Sequence, residues 1–193
     1  MKLIGLSGTN GSGKDTVGQI LADKHNFLFI SMTDMLRDEA LNRKLDTSRE
    51  VLRTISAEWR RESGLGVLID KSVDYYEKRG GDNRYAGLVV ASLRNPGEND
   101  RVHELGGSVI WIDADPKIRY ERISSRQRAD DQITYKEFLE HEQAEMSHSG
   151  DSATLSMGDV KEKADEFLTN EFENIADLQQ AIARLVDQST NNL

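Results

Sequence analysis

The 193-residue chain contains no cysteine, which excludes disulfide bonds and thiolate-ligated metal sites. No run of apolar residues is long enough to cross a bilayer. Positive charge is in deficit, because 25 lysine and arginine residues face 34 aspartate and glutamate residues and leave a net charge of −9. Such a charge argues against a nucleic-acid polymer or an anionic membrane as the partner.

The first residues enter an apolar strand pattern at once, so we expect no signal peptide. With cysteine absent, a reducing cytoplasm is the expected location. Hydrophobic residues make up 37% of the chain and charged residues 31%, as in globular proteins. The length predicts one domain over residues 1–193, in a protein that we expect to be a monomer or a homodimer.

Short apolar runs alternate with helical stripes along the chain. The strand patterns cover residues 2–7, 27–31, 86–91, 108–113 and 166–169. The helical patterns cover about residues 13–24, 33–43, 48–62, 66–79, 97–105, 115–125, 134–147 and 174–188. This alternation predicts an α/β fold with a five-stranded parallel sheet and helices on both faces. Residues 148–163 are polar and predict a loop or a mobile flap.

The first predicted strand leads into the segment Gly-Thr-Asn-Gly-Ser-Gly-Lys-Asp-Thr at residues 8–16. Phosphate-binding loops have Gly, four residues, Gly-Lys and then Ser or Thr. Gly8, Gly13 and Lys14 fit, whereas Asp15 takes the hydroxyl position and the hydroxyl follows at Thr16. Glycines let backbone N–H groups turn toward phosphate oxygens, and the following helix adds its positive dipole end. The predicted nucleotide-binding residues are Gly8, Asn10, Gly11, Ser12, Gly13, Lys14, Asp15 and Thr16.

Arginines follow three of the predicted strands, at the sheet edge where α/β proteins bind ligands. Arg37 follows the second strand and Arg94 the third. After the fourth strand, Arg119, Arg122 and Arg126 recur at helical spacing and would present three cations on one helix face. Arginine stays charged and grips phosphate with two parallel hydrogen bonds. The alternative is an ordinary set of solvated arginines on exposed helices.

These segments together resemble the P-loop kinases of the nucleoside-monophosphate kinase group. Residues 30–37 resemble the Gly-Asp-Met-Leu-Arg stretch of adenylate kinases, and residues 121–131 resemble the short arginine-rich lid of uridylate/cytidylate kinases. Residues 89–98, with the Gly-Gly pair within 104–107, resemble phage-type deoxynucleoside monophosphate kinases. The Gly-Lys-Asp-Thr ending of the loop is shared with that subfamily, and dephospho-coenzyme A kinases are further relatives.

The resemblance implies a three-layer P-loop NTPase fold, with an acceptor-binding helical segment at about 32–80 and a lid at about 122–133. It implies transfer of the terminal phosphate of ATP to a nucleoside or deoxynucleoside monophosphate. Small-molecule nucleotides are then the partners. By the same resemblance, the expected catalytic residues are Lys14, Arg94, Arg122, Arg126 and Arg128, and the expected acceptor-binding residues are Asp34, Arg37 and Arg94.

Mg²⁺ is the expected companion of ATP, but the sequence offers it few ligands. Many P-loop enzymes place an acid at the end of the third strand. Here that strand ends in Ala91 and Ser92, neither of which is acidic. Asp15, Thr16 and Asp34 are the remaining candidates, partly through metal-bound water. Asp15 and Asp34 have an alternative interpretation as acids of a first helical turn.

Two other functions stay open at this point. A dephospho-coenzyme A kinase-like enzyme would phosphorylate a hydroxyl and would need a base, for which Asp15 or Asp34 could serve. The missing acid of the third strand also fits a nucleotide-binding regulatory protein without transferase activity.

Overall fold

A parallel five-stranded sheet lies at the centre of the computed structural model, with the strands in the order β2-β3-β1-β4-β5. The structure describes residues 1–126, 132–146 and 150–191, without the side chains of 187–191. The strands are β1 Leu3–Gly8, β2 Phe27–Ser31, β3 Gly87–Leu93, β4 Ser108–Asp113 and β5 Glu166–Thr169. All five predicted strands are therefore confirmed, within a residue or two at their ends.

Nine α-helices lie within the described residues. They are α1 Lys14–His25, α2 Met32–Asn42, α3 Arg49–Ser63, α4 Val67–Lys78, α5 Pro96–Glu104, α6 Pro116–Ser124, α7 Tyr135–Met146, α8 Met157–Glu162 and α9 Ile175–Asn191. In this part of the chain, no helix combines the length and the apolar character needed to cross a membrane.

Alternation along the strands divides the interior into two apolar layers. In β4, Val109 and Trp111 face the layer with α2 to α5 and α8, whereas Ile110 and Ile112 face the layer with α1 and α9. Both faces of the sheet are therefore covered, which confirms the predicted three-layer α/β architecture.

The polar stretch before β5 differs from the prediction of a loop or flap. Its described part contains α8, and Ala153, Met157 and Val160 are buried there at 3% exposure or less. Three small or flexible apolar side chains among many polar ones give no clear periodicity in the sequence. All three nevertheless turn inward, and two of them join the layer beneath Trp111.

A buried carboxylate fixes the turn between β3 and α5. Glu98 is 0% exposed, and its Oε1 accepts hydrogen bonds from Nε and Nη2 of Arg60 at 3.1 and 2.7 Å. Its Oε2 accepts from the backbone amides of Arg94 and Asn95 at 2.7 and 3.1 Å. Glu98 thus closes the capping box of α5 and ties that turn to α3.

Replacing Glu98 by Gln should lower the free energy of unfolding by about 3–5 kcal/mol, because the guanidinium of Arg60 would remain buried without its counter-charge. Asp100→Asn, on the same helix, is the control because it breaks an exposed pair with Lys163 and should cost about 1 kcal/mol or less. Urea unfolding followed by circular dichroism measures both changes. Equal losses in the two variants would contradict this role of Glu98.

Candidate active site

The loop between β1 and α1 has a backbone shape that only glycine adopts easily. Gly8, Gly11 and Gly13 have positive φ angles of 139°, 80° and 93°. A Cβ atom on Gly8 would lie 1.9 Å from the carbonyl oxygen of Ile112 in β4. The spacing of glycines in the sequence therefore reflects steric need, and it leaves the loop curled around the N-terminus of α1.

Polar side chains from neighbouring strand ends hold this loop from outside. Asn170, just after β5, donates from Nδ2 to the carbonyl of Ser12 at 2.7 Å. Thr9 donates its hydroxyl to Asp113 at the end of β4, at 2.7 Å. Asn170 and Asp113 were not among the predicted site residues. Their position at the carboxyl ends of strands is the signal that could have found them.

Arg119 supports the loop through a hydrogen bond to the carbonyl of Asn10, and it is not one of three free cations on a helix face. It is 3% exposed, donates to the carbonyls of Ala114 and Asn10, and forms a two-pronged pair with Glu142 of α7. Arg119 and Arg122 lie in α6, whereas Arg126 follows the end of this helix at Ser124, so the three do not share one helix face. Burial and a carboxylate partner also give Arg119 a different role.

Lys14 is buried at the mouth of the loop, with backbone carbonyls as its hydrogen-bond acceptors. Its Nζ donates to the carbonyls of Gly8 and Thr9 at 3.1 and 2.7 Å. Burial, followed by the charge of Arg94, lowers the pKa of Lys14 to about 7. A phosphate bound at the loop would place a negative charge beside Lys14 and would stabilise its charged form.

A cavity, which we call the central cavity, extends from the loop to the end of β3. Its charged lining is mostly cationic, although the chain as a whole carries a net charge of −9. The cations are Lys14, Arg37, Arg49, Arg53, Arg60, Arg94 and Arg126, and the acids are Asp15 and Glu145. Glu98 neutralises Arg60, and the other cations of the lining still outnumber its two acids, so the cavity suits an anionic ligand.

Two of these arginines converge on one carboxylate. Arg94 donates from Nη1 to Glu145 at 3.0 Å, and Arg53 donates from Nη2 to its other oxygen at 2.5 Å. Burial opposes ionisation of Glu145, yet Arg94 and Arg53 together lower its pKa below the usual value. Arg53 and Glu145 escaped prediction because no motif contains them.

The end of β3 carries a strained serine where an acid is common. The pairing of β1 with β3 moves from Leu6 opposite Ala91 to Ser7 opposite Leu93, so Ser92 bulges out of the ladder. Its φ is +76°, and its side chain lines the central cavity. Such a backbone costs on the order of 1–3 kcal/mol and persists only where the surroundings impose it.

A second depression, which we call the outer cleft, borders Gly13 and the first turn of α1. It is lined by Thr16, Arg122, Arg126, Asn170, Phe172 and Asn174, among others. Arg122 donates from Nη2 to the carbonyl of Asn170 at 3.0 Å, while its buried Nη1 has no hydrogen-bond partner among the described residues. Burial, followed by Arg126, lowers the pKa of Arg122.

The structure brings most, but not all, of the predicted residues together. Lys14, Asp15, Arg37 and Arg94 line the central cavity. Thr16 opens on the outer cleft, away from Asp15. Arg128 lies outside the described residues.

Asp34 is placed at the surface, where its side chain is 66% exposed and pairs with Arg37 at 2.6 Å. Its backbone amide donates to the hydroxyl of Ser31, the N-cap of α2, at 3.4 Å. Asp34 does not line the central cavity, so the structure gives it the first-turn position of the alternative interpretation. Its predicted contact with the acceptor or a metal stays a prediction.

The sheet order and the glycine-lysine loop define a P-loop NTPase of the kinase-like type. A family model described as an AAA domain matches residues 4–148. A UPF0200 protein of Methanococcus vannielii is 30% identical over 193 residues, covering 97% of this chain and all 100% of the relative. A second, from Pyrobaculum aerophilum, is 28% identical over 188 residues, covering 96% and 97%. The chain belongs to the AAA domain family and to the UPF0200 proteins.

Solved structures with the same fold include two shikimate kinases. The enzyme from Acinetobacter baumannii, in complex with shikimate, has a TM-score of 0.61 at 15% identity, covering 97% of this chain and 94% of its own. The enzyme from Bacteroides thetaiotaomicron also has a TM-score of 0.61, at 14% identity, covering 100% and 99%. At these identities, the likeness concerns the fold alone.

We expect the affinity of this loop for ATP to depend on pH, because burial lowers the pKa of Lys14 to about 7. From about pH 7.5 to 9.5 the free lysine is mostly neutral while ATP keeps its charge, so binding must take up a proton. Affinity should fall as the pH rises, by up to about tenfold per unit. Calorimetric titration measures this, and Lys14→Met should bind weakly with little pH dependence. A flat wild-type profile would show that Lys14 does not meet the phosphates.

Proposed function

We propose that the protein is an ATP-dependent phosphotransferase whose acceptor is a small phosphorylated molecule, with a nucleoside or deoxynucleoside monophosphate as first choice. The observation that carries this is the central cavity, which Lys14 of the phosphate loop and Arg94 beyond β3 both line. The charge of Arg94 lowers the pKa of Lys14, so the two groups share one electrostatic environment. A single cavity lined by both cations suits a reaction in which a donor phosphate and an acceptor phosphate must come into contact.

On the donor side, the loop amides and Lys14 would bind the outer phosphates of ATP. The outer cleft would take the rest of the nucleotide, because it begins at Gly13 and Thr16, where a chain of phosphates leaves the loop. Arg126 lines both the outer cleft and the central cavity, which suits an arginine that stabilises the phosphoryl group in transfer. The unpartnered Nη1 of Arg122 supports a ligand in the same cleft.

On the acceptor side, Arg94 and Arg37 would hold the acceptor's phosphate. Phosphoryl transfer depends mainly on alignment, charge neutralisation and exclusion of water. An acceptor phosphate is already an anion, so no side chain has to remove a proton from it. The cation-rich lining of the central cavity therefore supports a phosphate acceptor.

Mg²⁺ fits the site only in a largely hydrated form. Asp15 is an exposed carboxylate in the central cavity, next to Lys14 in the first turn of α1. Within the described residues, no group of three or more acids or histidines is placed to hold a metal ion. Mg²⁺ keeps several waters when a nucleotide supplies other ligands, so Asp15 could hold it with phosphate oxygens. The ion would neutralise phosphate charge, whereas Thr16 lines the outer cleft, where the inner phosphates would lie.

A second candidate is a hydroxyl kinase, including one that acts on dephospho-coenzyme A. The fold shared with shikimate kinases and the position of Asp15 as a possible base favour it. A nucleotide-binding regulator without transferase activity is the third. An ADP-coupled assay with ATP, Mg²⁺ and parallel panels of nucleoside monophosphates and hydroxyl acceptors separates the three. Tight ATP binding with no acceptor phosphorylated would end the kinase proposal.

Replacing Arg94 by Ala should lower kcat/KM for the acceptor by about a hundredfold, because charge-assisted hydrogen bonds to phosphate are lost. The dissociation constant of ATP should change by about threefold or less, since Arg94 lies beyond the loop. Arg101→Ala, which removes a half-buried arginine of α5 that does not line the central cavity, is the control for loss of charge. Equal losses in acceptor use and ATP binding would contradict the assigned role.

A further inference from the structure

Glu145 places a negative charge inside a cavity that is otherwise built for anions. Its side chain is 13% exposed and reaches from α7 between Arg94 and Arg53. Those arginines come from the turn after β3 and from α3, so the carboxylate joins three separate segments. Its two oxygens each accept one guanidinium hydrogen bond, as two oxygens of a phosphate would.

One carboxylate does not balance the positive charge around it. Arg53 and Arg94 carry two positive charges against the single charge of Glu145, and Arg94 still acts on buried Lys14. A phosphomonoester near neutral pH carries up to two negative charges, so it would compensate these cations better than one carboxylate does. A monoanionic or neutral molecule would compensate the charge of these arginines no better than Glu145 does.

The anchoring of α7 does not depend on Glu145. Glu142, three residues earlier, anchors the helix through its pair with Arg119, and Phe138 is 2% exposed in the interior. If an anionic ligand replaced Glu145 between the two arginines, only the Glu145 side chain would have to rotate, and α7 would stay in place.

We propose that Glu145 occupies, in the free protein, the position that the acceptor's phosphate takes, and that binding exchanges one anion for the other. This inference rests on the proposed function and narrows the acceptor to dianionic phosphomonoesters. Glu145 is then a specificity-determining residue, because only a dianion displaces it from Arg53 and Arg94.

Calorimetric titration of inorganic phosphate at about pH 8 tests the inference, with the loop first saturated by ADP. Glu145→Gln should bind phosphate about tenfold or more tightly than the wild type. It should also bind acetate, which the wild type should not. Adding Arg94→Met to Glu145→Gln should abolish the gain, because the vacated arginine pair would be lost.

Two variants on α7 serve as matched controls. Glu140→Gln makes the same charge change at an exposed position that pairs with Lys136, and it should bind phosphate like the wild type. Glu142→Gln loosens the anchor of α7 while leaving Glu145 between its arginines. If it gains as much affinity as Glu145→Gln, helix release is the cause and the inference is overturned. Equal affinities in the wild type and Glu145→Gln also overturn it.

Thermal unfolding provides a second measurement that does not depend on ADP. Glu145→Gln should melt at a lower temperature than the wild type without phosphate, and phosphate should raise its melting temperature more. If ADP fails to bind the wild type, the proposed function fails. The comparison of Glu145 variants then continues in a Lys14→Ala background, which removes the cation of the loop. A failure confined to the Glu145 comparison leaves the proposed function standing.

Discussion

The arrangement of the candidate site depends on one buried ion pair. Glu98 and Arg60 are 0% and 3% exposed, and the remaining oxygen of Glu98 accepts both amides of the turn that carries Arg94. Removing two charges from water is costly, so such a pair is weak evidence for stability as such. Its clear effect is orientation: the backbone of Arg94 cannot rotate without breaking hydrogen bonds to a buried carboxylate. The same turn holds the segment before α8 through the side chain of Asn95, which donates to two of its carbonyls.

Burial and partners sort the arginines into two groups that sequence spacing cannot separate. Arg60 and Arg119 are fully buried, and each is matched to a glutamate as well as to backbone carbonyls. They hold α3 and the phosphate loop, and their hydrogen bonds go to other groups of the protein. Arg94 is partly buried and Arg126 is exposed, and both line open cavities. On the proposed function, the first pair builds the site and the second pair contacts the phosphates.

Much of the fold was predictable because it rests on local signals. Alternating apolar residues and helical stripes located every strand and eight of the nine described helices, and the glycines located the phosphate loop. α8 was missed because six residues with two buried apolar side chains give no detectable period. Glu145 and Asn170 were missed for another reason. Their partners lie 51 and 158 residues away, at Arg94 and Ser12, and only the packed sheet brings such groups together.

The serine at the end of β3 leaves the central cavity with more positive charge and fewer ligands for Mg²⁺ than an acid would. An acid at that position would offer a ligand to Mg²⁺ and would reduce the positive charge of the central cavity. Ser92 does neither, and the bulge that presents it is held by the hydroxyl of Ser7, which donates to the carbonyl of Leu93 at 2.7 Å. On the proposed function, the arginines must therefore neutralise charge that a metal centre shares in other P-loop enzymes. An excess of arginine needs an anion in the resting protein, and Glu145 supplies it.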